Sequence, residues 1–318
     1  MMKCLLFLVV AILGMANATE DQEKNHNGPQ HSALCGVLGS AVKKLEEVRT
    51  REPTDPLRKA LATTIFGNGA EEKIETLKTG TPAVYRDVEI RDADRGFWCG
   101  EPRDEDGESG QMQPRWSGHS SPHDMVCLCT MGEKGWPLNG SSGAQEKLCG
   151  KTADKLGGSG DGWSSSGSHQ GGKQIQATWE TVIVPCLNGE EGGDLKQALN
   201  EFLGNLQHKP DGYINPNRYI LGENNLTETN ADACTGSEKY GVCVAYFNAT
   251  TKRYPMPWWT DLQNALLEEE KFQEEKRREE EKQRQKEDAE NKDSAQEAAL
   301  KSGTQTTNQT DQSHKDIT

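Results

Sequence analysis

Residues 31–51 read HSALCGVLGSAVKKLEEVRTR, and this stretch decides the fold class. Its apolar residues recur at steps of four, three, four and three positions: Leu34, Leu38, Ala41, Leu45 and Val48. This heptad spacing predicts a helix that packs lengthwise against another helix. Cys35 lies beside the apolar face, where a disulfide would fasten the helix near its start.

The next segment carries its own helix signals. Thr54-Asp55-Pro56 supplies a capping residue followed by a proline at the first helical position, and Gly67-Asn68-Gly69 stops the helix. Together with the first helix, this segment makes a helical hairpin or a kinked helix. A short third helix is predicted around Ile74 and Leu77.

Helical spacing returns in two groups after residue 174. They are Ile175, Trp179, Val182 and Cys186, and then Leu195, Leu199, Phe202 and Leu206. We expect Pro185 and the glycine-rich segment after it to separate the two groups, and the second group to form a long helix. The sequence VCVAYF at 242–247 suits a short strand, and Cys234 and Cys243 can close a small loop before it.

A last helix is predicted to begin at Trp258-Trp259 and to lose its apolar face quickly. Of the 21 residues from Glu268 to Asp288, ten are acidic and seven basic, and Phe272 is the only apolar one. Glu274 and Arg278 have the four-residue spacing that supports a helix in water. We expect a solvated helix here and a disordered tail after Gly303.

The segment between about residues 80 and 173 has no clear period. It is rich in Gly, Ser, Asp and Pro, and it holds Cys99, Cys127, Cys129 and Cys149. A loop of that length without structure is unusual in a compact domain, so we expect disulfides to replace part of a core there.

The composition of the whole chain limits its partners. The 318 residues include 36 Lys and Arg against 50 Asp and Glu, a net charge of −14. This balance argues against nucleic acid, whose binding needs clustered cations, and against an anionic membrane surface. A hydrophobic content of 33% is too low for a core-rich globule throughout.

The N-terminus indicates the secretory pathway. Lys3, an apolar run from Cys4 to Ala16 and the small residues up to Ala18 form a three-part signal, with cleavage expected after Ala18. Eight cysteines then remain, which predicts four disulfides with about 105 possible connectivities: Cys35, Cys99, Cys127, Cys129, Cys149, Cys186, Cys234 and Cys243. A zinc site around Cys127-Leu-Cys129 is the alternative, but neither a CxxC pair nor a His-rich segment supports it.

Four glycosylation sequons come after the signal, at Asn139, Asn225, Asn248 and Asn308. Each requires an exposed backbone to receive a glycan. The sequence shows no second apolar run of membrane-spanning length, so we expect a soluble extracellular glycoprotein. The polar residues 305–318 also lack the hydrophobic tail that attachment of a glycolipid needs.

A search for catalytic motifs finds no zinc-protease, nucleophile-elbow or phosphate-loop pattern. The best fragment is His119-Ser-Ser-Pro-His123-Asp124, for which a secreted hydrolase is a weak hypothesis. Pro122 argues against a continuous helix through it, so we interpret it as a polar loop beside a disulfide. A cysteine nucleophile paired with His119, His123 or His169 is disfavoured, because an even number of cysteines in an oxidising compartment leaves no free thiol.

Four tryptophans lie in the irregular segment: Trp98, Trp116, Trp136 and Trp163. If exposed, they would suit ligand binding, whereas tryptophans in small disulfide-rich regions more often fill the core. Both interpretations stay open at the level of sequence. We expect no cofactor and no metal.

Several of these segments, taken in order, carry a family likeness. They are Ala33-Leu-Cys-Gly-Val-Leu38, Ala60–Gly67, Val126-Cys-Leu-Cys-Thr130, the helix at 195–206, the Cys234 and Cys243 pair, and Trp258-Trp259. The chain resembles a trypanosome variant surface glycoprotein, particularly the B-type N-terminal domain of the congolense type, over roughly residues 20–285.

The resemblance implies a mainly α fold. It consists of an elongated antiparallel helical hairpin or coiled-coil bundle, a disulfide-bonded, loop-rich head and a long charged C-terminal helix. The expected boundaries are 1–18 for the signal peptide, 19–266 for the surface-antigen domain with its head at about 80–173, 267–302 for the charged helix and 303–318 for the disordered tail.

The resemblance also implies a function without catalysis. The expected role is a protective coat on the outer face of the parasite plasma membrane, with antigenic variation and immune evasion. Expected partners are a second copy in a homodimer, host antibodies, and the membrane only through a glycosylphosphatidylinositol anchor. The sequence departs from the family by lacking a hydrophobic anchor signal, which leaves open a secreted form or an incomplete chain. The alternative is a helical surface receptor for a host serum protein.

Overall fold

The computed structural model describes residues 24–67, 73–86, 88, 93–103, 113–139, 146–158, 160, 162–165, 171–189, 192–211, 215–248 and 255–303. Its internal contacts divide the chain into two units, one ending at Leu262 and the other beginning at Gln263. We call the described residues up to 262 the body and residues 263–303 the charged helix. The signal peptide predicted at 1–18 and the tail predicted after Gly303 lie outside the described residues.

The fold is mainly helical, as predicted. The body contains α1 (Gly28–Val48), α2 (Pro56–Phe66), α3 (Ile74–Lys78), α4 (Ala83–Arg86), α5 (Arg95–Cys99), α6 (Ser121–Cys129), α7 (Gly172–Thr178), α8 (Val184–Leu187) and α9 (Leu195–Gly204). The last helix, α10, spans Trp258–Gly303 and so begins in the body.

Helix α1 is the centre of the helical layer. All five residues of its predicted heptad are buried, and it packs against α2 and α9. It also buries residues outside the heptad, including Val37 and Val42, so its covered surface is broader than a coiled-coil stripe. Gly39 allows a close approach of the chain, because a Cβ there would lie 3.1 Å from the backbone nitrogen of Gly192.

The predicted start and stop of α2 are confirmed. The Asp55 side chain accepts a hydrogen bond from the backbone N–H of Arg58, and Gly67 ends the helix with φ at 93°. The left-handed conformation at Gly67 is one that glycine adopts without steric cost. The short α3 also buries Ile74 and Leu77 as expected.

Two helix predictions in the second half of the body need correction. The two groups are separated as expected, since α8 ends at Leu187 and α9 begins at Leu195. Pro185 is not the break, however, because a π-turn at Trp179–Ile183 leads directly into α8, which contains this proline. Proline has no N–H to donate to the preceding turn, and the wider π-turn accommodates this loss. Helix α9 is not long: it has ten residues and ends at Gly204.

The strands in the described part of the chain form two small sheets. β1 (Asn25–His26) pairs in parallel with β2 (Lys147–Leu148). β3 (Gln207–His208), β4 (Arg218–Glu223) and β5 (Val242–Phe247) form an antiparallel sheet in that order. The strand predicted at 242–247 is therefore confirmed, and all six of its residues are buried.

The charged helix continues α10 as a regular helix to Gly303. The helix predicted to begin at Trp258-Trp259 is confirmed. Within the described residues, no helix combines the length and the apolar character that a membrane crossing requires.

Candidate functional site: disulfides and buried polar groups

Four disulfides connect the elements of the body. Cys35–Cys186 joins α1 to α8, Cys99–Cys127 joins α5 to α6, Cys129–Cys149 joins the end of α6 to the turn after β2, and Cys234–Cys243 closes the loop before β5. The last pair is the small loop expected from the sequence. The other three connections could not be selected from the cysteine spacing.

Among the described residues, two clusters bring cysteine sulfurs close to a histidine nitrogen: His31 with Cys35 and Cys186, and His123 with Cys99 and Cys127. In both clusters the two sulfurs form a disulfide with each other. A metal would need thiolates, so each cluster offers only one imidazole nitrogen as a ligand. The pair considered for zinc, Cys127 and Cys129, is divided between two different disulfides.

As expected, no continuous helix runs from His119 to Asp124, but the interpretation of this segment as a polar loop is wrong. Helix α6 begins at Ser121, with the Ser120 hydroxyl accepting a hydrogen bond from the backbone N–H of His123 at 3.3 Å. Pro122 lies in the first turn, where its missing N–H has no helical partner to lose. His119 precedes the helix and His123 lies on it, with their ring centroids 6.2 Å apart.

His123 is completely buried and makes structural hydrogen bonds. Its Nδ1 lies 2.8 Å from the hydroxyl oxygen of Tyr85, and its Nε2 lies 3.1 Å from the carbonyl oxygen of Trp98. Burial lowers the pKa of His123 to about 3. Both ring nitrogens are therefore engaged in the neutral ring, which cannot exchange a proton with a substrate in solution.

His119 is also removed from solvent. Burial and the nearby Arg115 lower the pKa of its imidazole well below the ordinary value. Its ring meets the edge of Trp116 at 4.4 Å and lies directly against Gly67, where an added Cβ would clash with it. The close contact explains why the end of α2 requires a glycine there.

Asp124 is buried and accepts three hydrogen bonds. Its donors are the backbone N–H of Gly118 at 2.9 Å, the hydroxyl of Tyr246 at 2.9 Å and the indole N–H of Trp258 at 2.7 Å. Burial raises the pKa of Asp124 to about 7, against the opposite effect of these donors. The carboxyl joins α6 to β5 and to the start of α10, which is a structural role.

Arg95 is one buried group that sequence reasoning missed. Its side chain is fully buried at the start of α5 and donates to the carbonyl oxygens of Thr130 and Trp163 at 2.9 Å, and to that of Cys127. The guanidinium also lies 5.4 Å from the centre of the Trp163 ring. Burial lowers the pKa of Arg95 to about 9. No sequence signal distinguishes it, because arginines are mostly exposed.

Asn27 is a second connection that the sequence did not reveal. It is buried just before α1, with φ at 55°. Its amide donates to the carbonyl oxygens of Leu128 at 2.8 Å and Val242 at 2.7 Å, and its own oxygen accepts from the N–H of Glu223 at 2.7 Å. One side chain thus fixes the start of α1 to α6 and to two strands of the sheet.

The four tryptophans of the irregular segment are not a shared exposed surface. Trp98 and Trp163 are fully buried and meet edge to face at 5.8 Å. Trp116 and Trp136 are half-buried, and Arg103 lies 4.5 Å from the centre of the Trp116 ring. The core interpretation is thus correct for Trp98 and Trp163, and neither of these two side chains is available to bind a ligand at the surface.

Two of the sequon asparagines are exposed. Asn139 lies shortly after the helical turn at Glu133–Gly135, and Asn225 comes after β4, whereas Asn248 is half-buried at the end of β5. Asn308 and His169 lie outside the described residues. Asn139 and Asn225 are thus at the surface, and the Asn225 side-chain amide donates to the carbonyl oxygen of Glu238 at 3.2 Å.

The arrangement provides binding and stability within the chain, and its reactive groups are used for that purpose. In the described part of the chain, the eight cysteine sulfurs form disulfides, and Asp124, His123 and Arg95 connect neighbouring elements through hydrogen bonds.

Comparison with known families matches residues 39–288 to a family model described as the trypanosomal VSG domain. The matched range begins within α1, covers the rest of the body and extends into the charged helix. No curated protein matches the chain.

Proposed function

The chain belongs to the trypanosomal VSG domain family, a family of surface coat proteins, and from this premise we propose that it shields the parasite membrane without catalysing a reaction. The observation that carries the proposal is the match over more than three quarters of the chain. Immune evasion through antigenic variation is part of the same proposal. It would act through exposed loops that vary while a fixed framework holds them.

The chemistry of the body supports a role without catalysis. A general base must reach its substrate and needs a pKa near the working pH. His119 and His123 are buried, and burial holds the pKa of each far below that range. Asp124 accepts hydrogen bonds from three donors of its own chain. The three residues of the hydrolase hypothesis therefore do not form an accessible catalytic group.

The framework also suits a variable surface. Disulfides and buried polar groups fix the path of a loop-rich region without a large apolar core. Residues 93–165 contain the disulfides Cys99–Cys127 and Cys129–Cys149, together with Arg95 and Asp124. Substitutions at exposed loop positions would leave these connections in place.

We propose a four-part organisation for the whole chain. A signal peptide at 1–18 directs it to the secretory pathway, and the surface-antigen domain covers 19–266 with its head at about 80–173. Residues 267–302, a solvated part of the charged helix, precede a disordered tail at 303–318. Glycans are proposed at Asn139, Asn225, Asn248 and Asn308. The exposure of Asn139 and Asn225 supports the first two.

Attachment and assembly are proposals from the family. We propose a homodimer and a glycosylphosphatidylinositol anchor that holds the protein on the outer face of the plasma membrane, where host antibodies bind it. We do not propose the receptor for a host serum protein. The exposed aromatic cluster that motivated it is not formed by Trp98 and Trp163, which are buried.

Expression of the epitope-tagged chain in trypanosomes tests the coat function. We expect intact cells to bind antibody against the body, and live-cell trypsin treatment to remove that signal. A matched chain without residues 1–18 should stay inside the cell. Retention of the complete chain inside intact cells would contradict the proposal.

The same cells test attachment and glycosylation separately. Phospholipase C should release a glycolipid-anchored protein, whereas a secreted form would collect in the medium. Asn225→Gln should remove one glycan from the mass of the purified protein, and Asn224→Gln, outside the sequon, should not. Light scattering of the purified protein should give twice the mass of one chain.

A further inference from the structure

The charged helix has an unusual surface for its length. From Glu270 to Asp293 every side chain is exposed, and Phe272, the one apolar residue between Glu268 and Asp288, is 59% exposed. No core therefore holds this part of the helix in place. A helix that is polar on all sides needs either a partner at its ends or many contacts along its own surface.

Contacts along the helix itself are present. The guanidinium of Arg278 lies 2.6 Å from the Glu274 carboxylate, and the Gln273 amide donates to Glu269 at 2.9 Å. Both contacts join residues four positions apart, and in the first the acidic residue precedes the basic one. This order is the favourable one, and each such pair contributes about 0.2–0.5 kcal/mol.

The sequence extends the same pattern beyond these contacts. Glu280 precedes Arg284 by four residues, and Asp288 precedes Lys292 by four. No glycine or proline occurs between Gln263 and Ser302, and the segment is made largely of Glu, Lys, Arg, Gln and Ala. These residues lose little free energy on entering a helix.

The sequence of this segment does not favour a coiled coil. Two-stranded coiled coils need apolar residues at two positions of every heptad. Between Glu268 and Asp288 only Phe272 is apolar, so three consecutive heptads lack the seam that a second helix would cover. A partner helix would have to desolvate charges without an apolar contact in return.

We infer that residues 263–303 form a single, self-supporting α-helix that acts as a stiff spacer between the chain segments at its two ends. At 1.5 Å per residue its 41 residues span about 60 Å. A flexible chain of the same length would have a mean end-to-end distance of only about 32–38 Å. The spacer thus sets a defined separation, which a disordered linker cannot do.

This inference does not depend on the coat function. A chain that never reaches the cell surface can still contain the spacer, and a surface protein can lack it. The two proposals are therefore tested by different measurements, and each can fail alone.

A distance measurement on the full chain tests the spacer. Spin labels are placed at Asn264 and Asp293 through unnatural amino acids, which leave the eight cysteines in their disulfides. The labelled chain is mixed with excess unlabelled chain, so that distances between the two copies of the proposed homodimer do not contribute. For a helix, pulsed dipolar spectroscopy should give a narrow distribution near 44 Å. A broad distribution centred near 30 Å would show a flexible chain and overturn the inference.

A matched pair of substitutions at Gln283 sharpens the test. Gln283→Pro should break the helix in its middle and change the distribution to a shorter and broader one. Gln283→Ala removes the same side chain and should leave the distribution near 44 Å. Equal distributions for the two variants would contradict a single helix.

Charge reversal tests what stabilises the spacer. Arg278→Glu with Arg284→Glu replaces two attractive pairs with repulsive ones, so we expect partial broadening at low salt and less at 1 M salt. The control, Arg278→Lys with Arg284→Lys, keeps the signs and should resemble the unmodified chain. A tenfold dilution should change nothing, and loss of the narrow distribution on dilution would show that a second copy stabilises the helix.

Discussion

In the body, even charged side chains are buried and hold several elements at once, whereas in the charged helix no side chain from Glu270 to Asp293 is buried. Arg95 donates to carbonyl groups at the end of α6, those of Cys127 and Thr130, and to the carbonyl of Trp163, while Arg278 contacts one carboxylate on the preceding turn of its own helix. The two arginines have the same chemistry and different surroundings. Their effects on stability should therefore differ strongly.

This difference explains how a chain with 33% hydrophobic residues folds. The charged helix is stabilised locally, one turn at a time, and it needs no apolar residues. The body has an apolar layer around α1 and buried apolar residues in α6 and β5, and disulfides and hydrogen-bonded polar groups supplement these contacts. The low hydrophobic content of the whole chain is therefore an average over two regions whose folds are stabilised by different interactions.

The largest effect is expected for Arg95→Met, which removes a buried guanidinium. The substitution leaves the carbonyls of Cys127, Thr130 and Trp163 without their donor, and each unpaired buried group costs about 1–3 kcal/mol. We expect the free energy of unfolding to fall by about 4 kcal/mol or more, measured by urea unfolding followed through tryptophan fluorescence.

Arg49→Met is the control for Arg95→Met. Arg49 is exposed at the end of α1 beside Glu46, and surface ion pairs contribute about 0–1 kcal/mol. Similar losses of stability for the two variants would mean that Arg95 is not the anchor of this region.

A slightly smaller effect is expected for Leu38→Ala in α1. Leu38 is fully buried in the apolar layer, and the cavity left by such a substitution costs about 2–5 kcal/mol. The volume-conserving Leu38→Met should cost less than about 1.5 kcal/mol. If both variants were as stable as the unmodified chain in urea unfolding, the helical layer would not be close-packed.

The pH dependence of stability is expected to change when Asp124 is replaced. Burial raises the pKa of Asp124 in the folded state to about 7, above its ordinary value of 3.8. The folded state then binds its proton more tightly than the unfolded state does. This group therefore lowers the free energy of unfolding as pH rises from about 4 to about 7, by up to about 1.4 kcal/mol per pH unit.

His123 has the opposite sign. Burial lowers its pKa to about 3, so the unfolded state binds the proton more tightly and stability rises with pH up to about 6.5. As pH rises from 5 to 7, the free energy of unfolding of Asp124→Asn should increase relative to that of the unmodified chain. That of His123→Gln should decrease relative to the unmodified chain over the same range. Urea unfolding at four pH values measures both slopes, and parallel curves for all three proteins would contradict the buried positions of these groups.

Much of the fold was predictable because its signals are local. The heptad of α1, the Asp55-Pro56 start of α2 and the strand at 242–247 each depend on a few neighbouring residues, and all three are confirmed. The charged helix was predictable for the same reason, since its supporting pairs are four residues apart.

The connections within the body were not predictable, because they join distant residues. Eight cysteines allow about 105 pairings, and spacing alone does not choose among them. Nothing near Arg95 or Asn27 in the sequence indicates that either would be buried. The polar loop predicted around Pro122 was wrong for a related reason: a proline can interrupt a helix or lie in its first turn, and here α6 begins at Ser121.

The smallest effect is expected for Phe272→Ala in the charged helix, and it compares the two regions through one substitution. Phe272 is 59% exposed, so its removal creates no cavity, and alanine has the higher helix propensity. We expect a change within about 0.5 kcal/mol and an unchanged far-UV circular dichroism spectrum. Phe202→Ala in α9 removes the same side chain from a fully buried position and should cost about 3–5 kcal/mol. A loss above about 2 kcal/mol for Phe272→Ala would mean that another surface covers this residue, and the charged helix would then not be self-supporting.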